Sequence, residues 1–232
     1  MDRRWLPALP AGTRLSPRQI GQLEAILELL EADVHAPTAV RDGPRAAYVH
    51  LADSLAAVDL EVVGSARRIA DLGSGAGFPG LVLAVALPEA DVRLLESQRR
   101  RCEFLRRACD AAELGNAEVM WGRVEEWKEG IAGNDLVTAR ALAPQPVALE
   151  YAAPLLRLGG SFVDWRGRRN PAEEDLAGRV AGQLGLERSA ILPVGPFAGA
   201  DEHHLHVFAK VEETPERFPR RAGIARKRPL GS

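Results

Sequence analysis

Arg68-Ile69-Ala70-Asp71-Leu72-Gly73-Ser74-Gly75-Ala76-Gly77-Phe78-Pro79-Gly80 decides the fold. An apolar run ends in an acid, four glycines fall within the eight residues 73–80, and the apolar stretch 81–87 follows. That order reads as strand, loop and helix. Glycine reaches backbone angles that a Cβ forbids and lets a ligand lie against the main chain. A molecule carrying an adenosine or a phosphate is the natural occupant. The carboxylate of Asp71 argues against a phosphate, which it would repel.

Working outward, strand and helix patterns alternate from Arg67 onward. Candidate strands are 68–72, 92–96, 117–121, 135–139, 161–165, 190–194 and 205–211. Helices are expected near 80–87, 98–114, 146–156 and 171–184. This alternation predicts a mainly parallel seven-stranded α/β sheet covered on both faces. The last strand follows a loop with no clear helix, so an antiparallel pairing is open to it. Before the sheet, Ser16-Pro17-Arg18-Gln19 has the form of a capped helix start, with Ile20, Leu23, Leu27 and Leu30 at helical spacing. A second helix is expected over about 43–59. The chain thus divides into a helical cap (1–66), a ligand-binding core (67–211) and a basic tail (212–232).

Aromatic residues make up only 5% of the chain, so aliphatic and alanine packing must form most of the core. The longest apolar run is far too short to span a bilayer, and Met1-Asp2-Arg3-Arg4-Trp5 opens no apolar secretory signal. Cys102 and Cys109 stand seven apart in a helical pattern, about 10 Å along the axis and too far for a disulfide. They read as reduced thiols of a cytoplasmic protein, and no metal-ligand spacing surrounds them. The net charge of −2 hides an asymmetry. Residues 217–232 hold Arg217, Arg220, Arg221, Arg226, Lys227 and Arg228 and no acid, which leaves −8 on the rest. A basic tail on an acidic body suits an anionic partner such as nucleic acid, or is simply solvated.

In such sheets ligands bind at the carboxyl ends of the strands. Glu96 ends the second strand, where an acid grips ribose hydroxyls; its other reading is a cap for the following helix. A dinucleotide loop reads G-x-G-x-x-G, whereas Gly73, Gly75 and Gly77 alternate here behind Asp71. A ligand with a cationic end and an adenosine, as S-adenosylmethionine has, fits that pattern. Glu125, after the third strand, is placed to accept from an adenine amino group, or is an ordinary solvated helix start. Arg140, ending the fourth strand, could bind a phosphate, a carboxylate or a guanine edge, or pair with Asp71 or Asp135.

These residues resemble a known family. Asp71–Gly80, Arg101-Cys102-Glu103-Phe104-Leu105, Gly122-Arg123-Val124-Glu125-Glu126 and Thr138-Ala139-Arg140-Ala141 are similar to segments of the small-subunit ribosomal RNA methyltransferase G family, also called glucose-inhibited division protein B. His50-Leu51-Ala52-Asp53-Ser54-Leu55 and the tail from Arg217 to Leu230 fit as well, so the likeness runs from about residue 16 to 230. It implies a Rossmann-like class I methyltransferase that moves a methyl group from S-adenosylmethionine to N7 of a guanine in 16S ribosomal RNA. Gly73, Phe78, Val124, Glu125 and Arg140 occupy the family's cofactor-contact positions. The chain departs from the family in three places. Val34-His35-Ala36-Pro37-Thr38-Ala39-Val40 lacks the usual Tyr-Asn-Leu-Thr-like segment, Arg166-Gly167 replaces Lys-Gly, and Glu96 replaces aspartate.

Guanine N7 carries a lone pair and no proton, so its methylation needs alignment rather than a general base. Arg140 and Arg166 are expected to act on the target side. His50 and Asp53 brace the pocket, or form a helix-surface pair. His203, His204 and His206 are expected at the surface of an edge strand. The Arg99-Arg100-Arg101 run with Arg106 and Arg107 offers a second basic face. The expected partner is 16S RNA or the 30S subunit, with the protein a monomer that holds no metal. A nicotinamide dehydrogenase, an RNA-binding module without activity, and a methyltransferase for another RNA, a small molecule or a protein are the alternatives.

Overall fold

The computed structural model describes residues 14–38, 40, 47–195 and 202–231. The N-terminal stretch read for a signal and the first part of the helix expected over 43–59 lie outside the described residues.

Seven strands form one sheet in the order β3-β2-β1-β4-β5-β7-β6. They are β1 (Arg68–Leu72), β2 (Asp91–Glu96), β3 (Ala117–Trp121), β4 (Asn134–Arg140), β5 (Leu156–Arg166), β6 (Leu186–Val194) and β7 (His203–Lys210). The first five run parallel, while β7 lies antiparallel to both β5 and β6. The pairing of Ala70 with Arg93 on one side and Val137 on the other fixes β1 as the centre of the parallel half. β7 is therefore interior, not the edge strand expected from sequence. The chain runs out to β6 and then folds back between β6 and β5.

Both faces are covered, and alternate strand residues serve opposite cores. Ile69, Val92, Leu94 and Leu136 meet one cluster, with Leu81 and Val82 of α4 (Gly80–Ala86) and Phe104 and Leu105 of α5 (Arg99–Ala111). Ala70, Leu72, Val137 and Phe162 meet the other, with Val147 and Leu149 of α6 (Gln145–Ala152) and Val180 of α7 (Pro171–Gln183).

The first helix, α1 (Pro17–Ala32), carries the capping box expected from its sequence, Ser16 and Gln19 bonding reciprocally. Its buried Leu23, Ile26, Leu27 and Leu30 belong to the first core cluster. Gln19 and Gln22 pin it further, donating to Val85 O and Ala112 O. Then α2 begins as a π-helical turn (Ala47–Ala52), continues as Asp53–Leu55, and is followed by α3 (Glu61–Gly64).

Residues past β7 fold back onto the body. Phe218 and Ala225, the latter in α8 (Ile224–Lys227), are buried in the second core. Arg220 donates to Glu150 of α6 at 2.7 Å and to the Arg228 carbonyl. Gly185 closes the end of α7 at φ +74, and its carbonyl accepts from Val211 and Glu212. A Cβ there would stand 2.3 Å from the Glu212 carbonyl oxygen. Gly185→Ala should therefore lower the unfolding free energy by about 1–3 kcal/mol. Urea titration checks this, and a stability equal to wild type would contradict the packing of the tail against α7.

Candidate active site

The β1–α4 loop turns over the carboxyl end of the sheet through Gly73, Gly75 and Gly77, whose φ values are +64, +57 and +95. Only glycine adopts these angles without strain. The loop is held from β2, because the Ser74 amide donates to Leu95 O and the Gly75 amide donates to Glu96 Oε2 at 3.1 Å. The other Glu96 oxygen accepts from the amide of Gln98, the residue that caps α5, at 2.8 Å. Glu96 thus braces the start of α5, as one of its two readings had it, and holds the glycine loop as well.

Asp71, read from sequence as facing a ligand's cationic end, lies beneath the loop. It is 1% exposed, and its Oδ1 accepts from Thr138 Oγ1 at 2.8 Å across β1 and β4. Burial pushes its pKa up. It fastens the two central strands beneath the loop and does not line the cavity beside it.

A cavity of about 800 Å³ opens beside the loop. Gly73, Glu96, Val124 and Glu125 line it, as does the apolar wall of Leu95 and Leu142. Asp71, Gly75, Gly77, Phe78 and Arg140 do not line it, although they were candidates for cofactor contact. Trp121, Tyr151 and Arg226 do line it and were not anticipated. The tail supplies Arg226, whose guanidinium donates to Leu142 O, and the Gly223 amide donates to Glu125 Oε1 at 2.8 Å. Glu125 is therefore held by the tail in this structure.

A second cavity, of about 300 Å³, lies past the ends of β4 and β5. Arg140, Gln145, Arg166 and Asn170 line it, together with Glu173, Glu174, His203 and His206. Ala141 borders both cavities and adopts φ +51, a left-handed angle unusual outside glycine.

Arg140 organises the ground between them. Its Nη1 donates to Asp53 Oδ2 at 3.0 Å and to Val49 O, and its Nη2 lies 3.1 Å from His50 Nδ1. The pair is with Asp53, not with Asp71 or Asp135. His50 stacks on Phe78 at 4.5 Å between ring centres, and the guanidinium sits 5.6 Å over the same ring. Burial, and then the Arg140 charge, drop the His50 pKa to about 4, so the neutral ring accepts from Arg140. Asp53 also meets His203 Nδ1 at 2.9 Å, and its carbonyl accepts from Trp165 Nε1. His50 and Asp53 are buried members of this cluster, not a helix-surface pair.

Arg166 donates to Ala143 O at 3.0 Å. His206 is buried on β7, where a surface position was expected. Gln145 Nε2 lies 3.1 Å from His206 Nδ1 and donates to Asp164 Oδ2 at 3.0 Å. Burial raises the Asp164 pKa to about 7 and lowers that of His206 to about 4. Among the described residues no group of three His, Cys, Asp or Glu is placed to hold a metal ion. On the second basic face, Arg99 pairs with Glu103, Arg107 with Asp33, and Arg101 lies 3.6 Å from Glu96.

A family model described as rRNA small subunit methyltransferase G matches residues 21–192. A ribosomal RNA small subunit methyltransferase G of Rubrobacter xylanophilus is 37% identical over 226 residues, covering 94% of this chain and 87% of its own. Its namesake in Chloroflexus aggregans is 38% identical over 225 residues, covering 94% and 93%. Among solved structures, the S-adenosylmethionine-dependent methyltransferase SibL superposes with a TM-score of 0.58 at 15% identity, covering 84% of this chain and 70% of its own. That likeness concerns the fold.

The Asp164–Gln145–His206 set makes stability depend on pH in two opposing ways. The raised pKa of Asp164 favours the fold fully below pH 3.8, and that contribution is lost as pH rises through about 7. The depressed pKa of His206 works the other way, removing stability as pH falls from 6.5 toward about 4. Asp164→Asn should therefore gain on wild type as pH rises from 4 to 7.5. Urea unfolding at both ends of that range tests it, and a gap independent of pH would contradict it.

Proposed function

The chain belongs to the rRNA small subunit methyltransferase G family, and we propose from that premise that it methylates N7 of a guanine in 16S ribosomal RNA, with S-adenosylmethionine as donor. The observation that carries the reading is the meeting of two cavities at Ala141. One has the chemistry of an adenosine site. The other is small and lined by polar side chains, three arginines among them.

The larger cavity fits the donor in volume, within the roughly 300–1,000 Å³ of small-molecule sites. Glu96 accepts from two amides and from the Ser97 hydroxyl, and a carboxylate has about four lone-pair positions, so one is left for a ribose hydroxyl. Leu95, Val124 and Leu142 give an adenine ring apolar walls. When bound, S-adenosylmethionine supplies an electrophilic sulfonium methyl. The chain's part is to hold both reactants in line, worth about 7–11 kcal/mol for well-oriented groups. N7 bears no proton, so neither His50 nor His206 is needed as a base. Arg140 and Arg166 place positive charge beside the target cavity, where a phosphate or the O6 of guanine would approach. The reading takes 67–211 as the catalytic core, capped by 1–66, in a cytoplasmic protein that meets the small subunit or its RNA.

Labelled S-adenosylmethionine incubated with 30S subunits lacking this methyl group should place label at N7 of one guanine. Label on another base, or on protein, would refute the reading. Arg140→Ala should lower transfer about a hundredfold while the protein stays folded, since a misplaced reactant costs that much. Transfer at the wild-type rate would remove Arg140 from the target side. Deleting 217–232 should weaken cofactor binding as well as RNA binding, because Gly223 and Arg226 brace the larger cavity. An unchanged calorimetric titration with S-adenosylmethionine would contradict that.

A further inference from the structure

We propose that the smaller cavity receives the target guanine and that His206 and Gln145 select it, an assignment that rests on the methyl transfer proposed above. His206 is 3% exposed and lines this cavity, yet its Nε2 is buried with no hydrogen-bond partner among the described residues. Buried polar atoms of native proteins are nearly always satisfied, so the exception points to a missing acceptor.

The chemistry of that atom follows from its neighbours. Gln145 Nε2 donates one hydrogen to Asp164 Oδ2 and the other to His206 Nδ1. Nδ1 is then the acceptor of the neutral ring, and the proton sits on Nε2. Asp164, 1% exposed, fixes the amide from behind. The Gln145 carbonyl oxygen accepts from none of the described residues. The cavity is thus lined by two residues that offer one unused donor and one unused acceptor, locked by a common anchor.

That pair matches guanine. The Watson–Crick edge of guanine sets the O6 acceptor beside the N1–H donor, and adenine presents the reverse order. Enzymes that act on a base take it out of the stack and read it on this edge. Arg140, Arg166 and Arg168 share the wall with Asp53, Glu173 and Glu174, so the opposed charges leave no net attraction for a phosphate over a neutral base. The shared border at Ala141 lets the base lie against the larger cavity.

The test is methyl transfer to 30S subunits lacking this methyl group, measured as kcat/KM. His206→Phe keeps a ring of similar size and deletes the donor. It should lower kcat/KM about tenfold or more, as expected when a base-reading hydrogen bond is lost, with S-adenosylmethionine affinity unchanged and the protein still folded. His206→Gln restores an N–H and should recover most of the loss. Gln145→Met reports on the same pair if His206→Phe does not fold, and should be similarly impaired. Wild-type kcat/KM in the folded variant would overturn the assignment, as would His206→Gln failing as badly as His206→Phe, the mark of a purely structural role. A wild type that methylates no guanine would overturn the underlying function instead.

Discussion

The guanidinium of Arg140 is the contact on which the rest of the site depends. It is the last residue of β4, and it binds α2 through Asp53, His50 and Val49. Through the Phe78 ring it also borders the glycine loop. One side chain therefore sets the N-terminal helices, the loop and the sheet in register. Breaking such a partly buried pair from one side leaves the other charge without compensation, which is why the cluster behaves as a unit. His50 remains neutral within it, so the ring can accept from Arg140 and stack on Phe78 at once.

Charge alone misrepresented the tail. Six basic residues without an acid suggest an anionic partner or a simply solvated tail. The fold uses two of them otherwise: Arg220 is held by Glu150, and Arg226 by the Leu142 carbonyl. The segment also buries Phe218 and walls the larger cavity.

Much of the architecture was legible because it is local. The glycine loop and the Ser16–Gln19 box depend on residues within a few positions, and both formed as their sequences suggest. Burial of Asp71 was not legible. Its partner Thr138 lies 67 residues away, and no local pattern reports that β4 will pair beside β1. His206 was misjudged for a related reason. The histidines of β7 look like surface decoration until the strand folds back between β5 and β6. Gln145, Trp121 and Tyr151 gave no sequence signal, since each matters only through the cavity it lines.

Asp53 has a further consequence, in the order of assembly. It reaches Arg140 across 87 residues, the Trp165 ring nitrogen across 112 and His203 across 150. Such closures are entropically costly and form only once intervening chain is already compact. The parallel strands and their crossover helices can condense first from nearer neighbours. The junction around Asp53 then completes late, and by the same logic it is an early place for the native state to come apart. A chain can in that way hold a nearly finished sheet while its reaction chamber is still open.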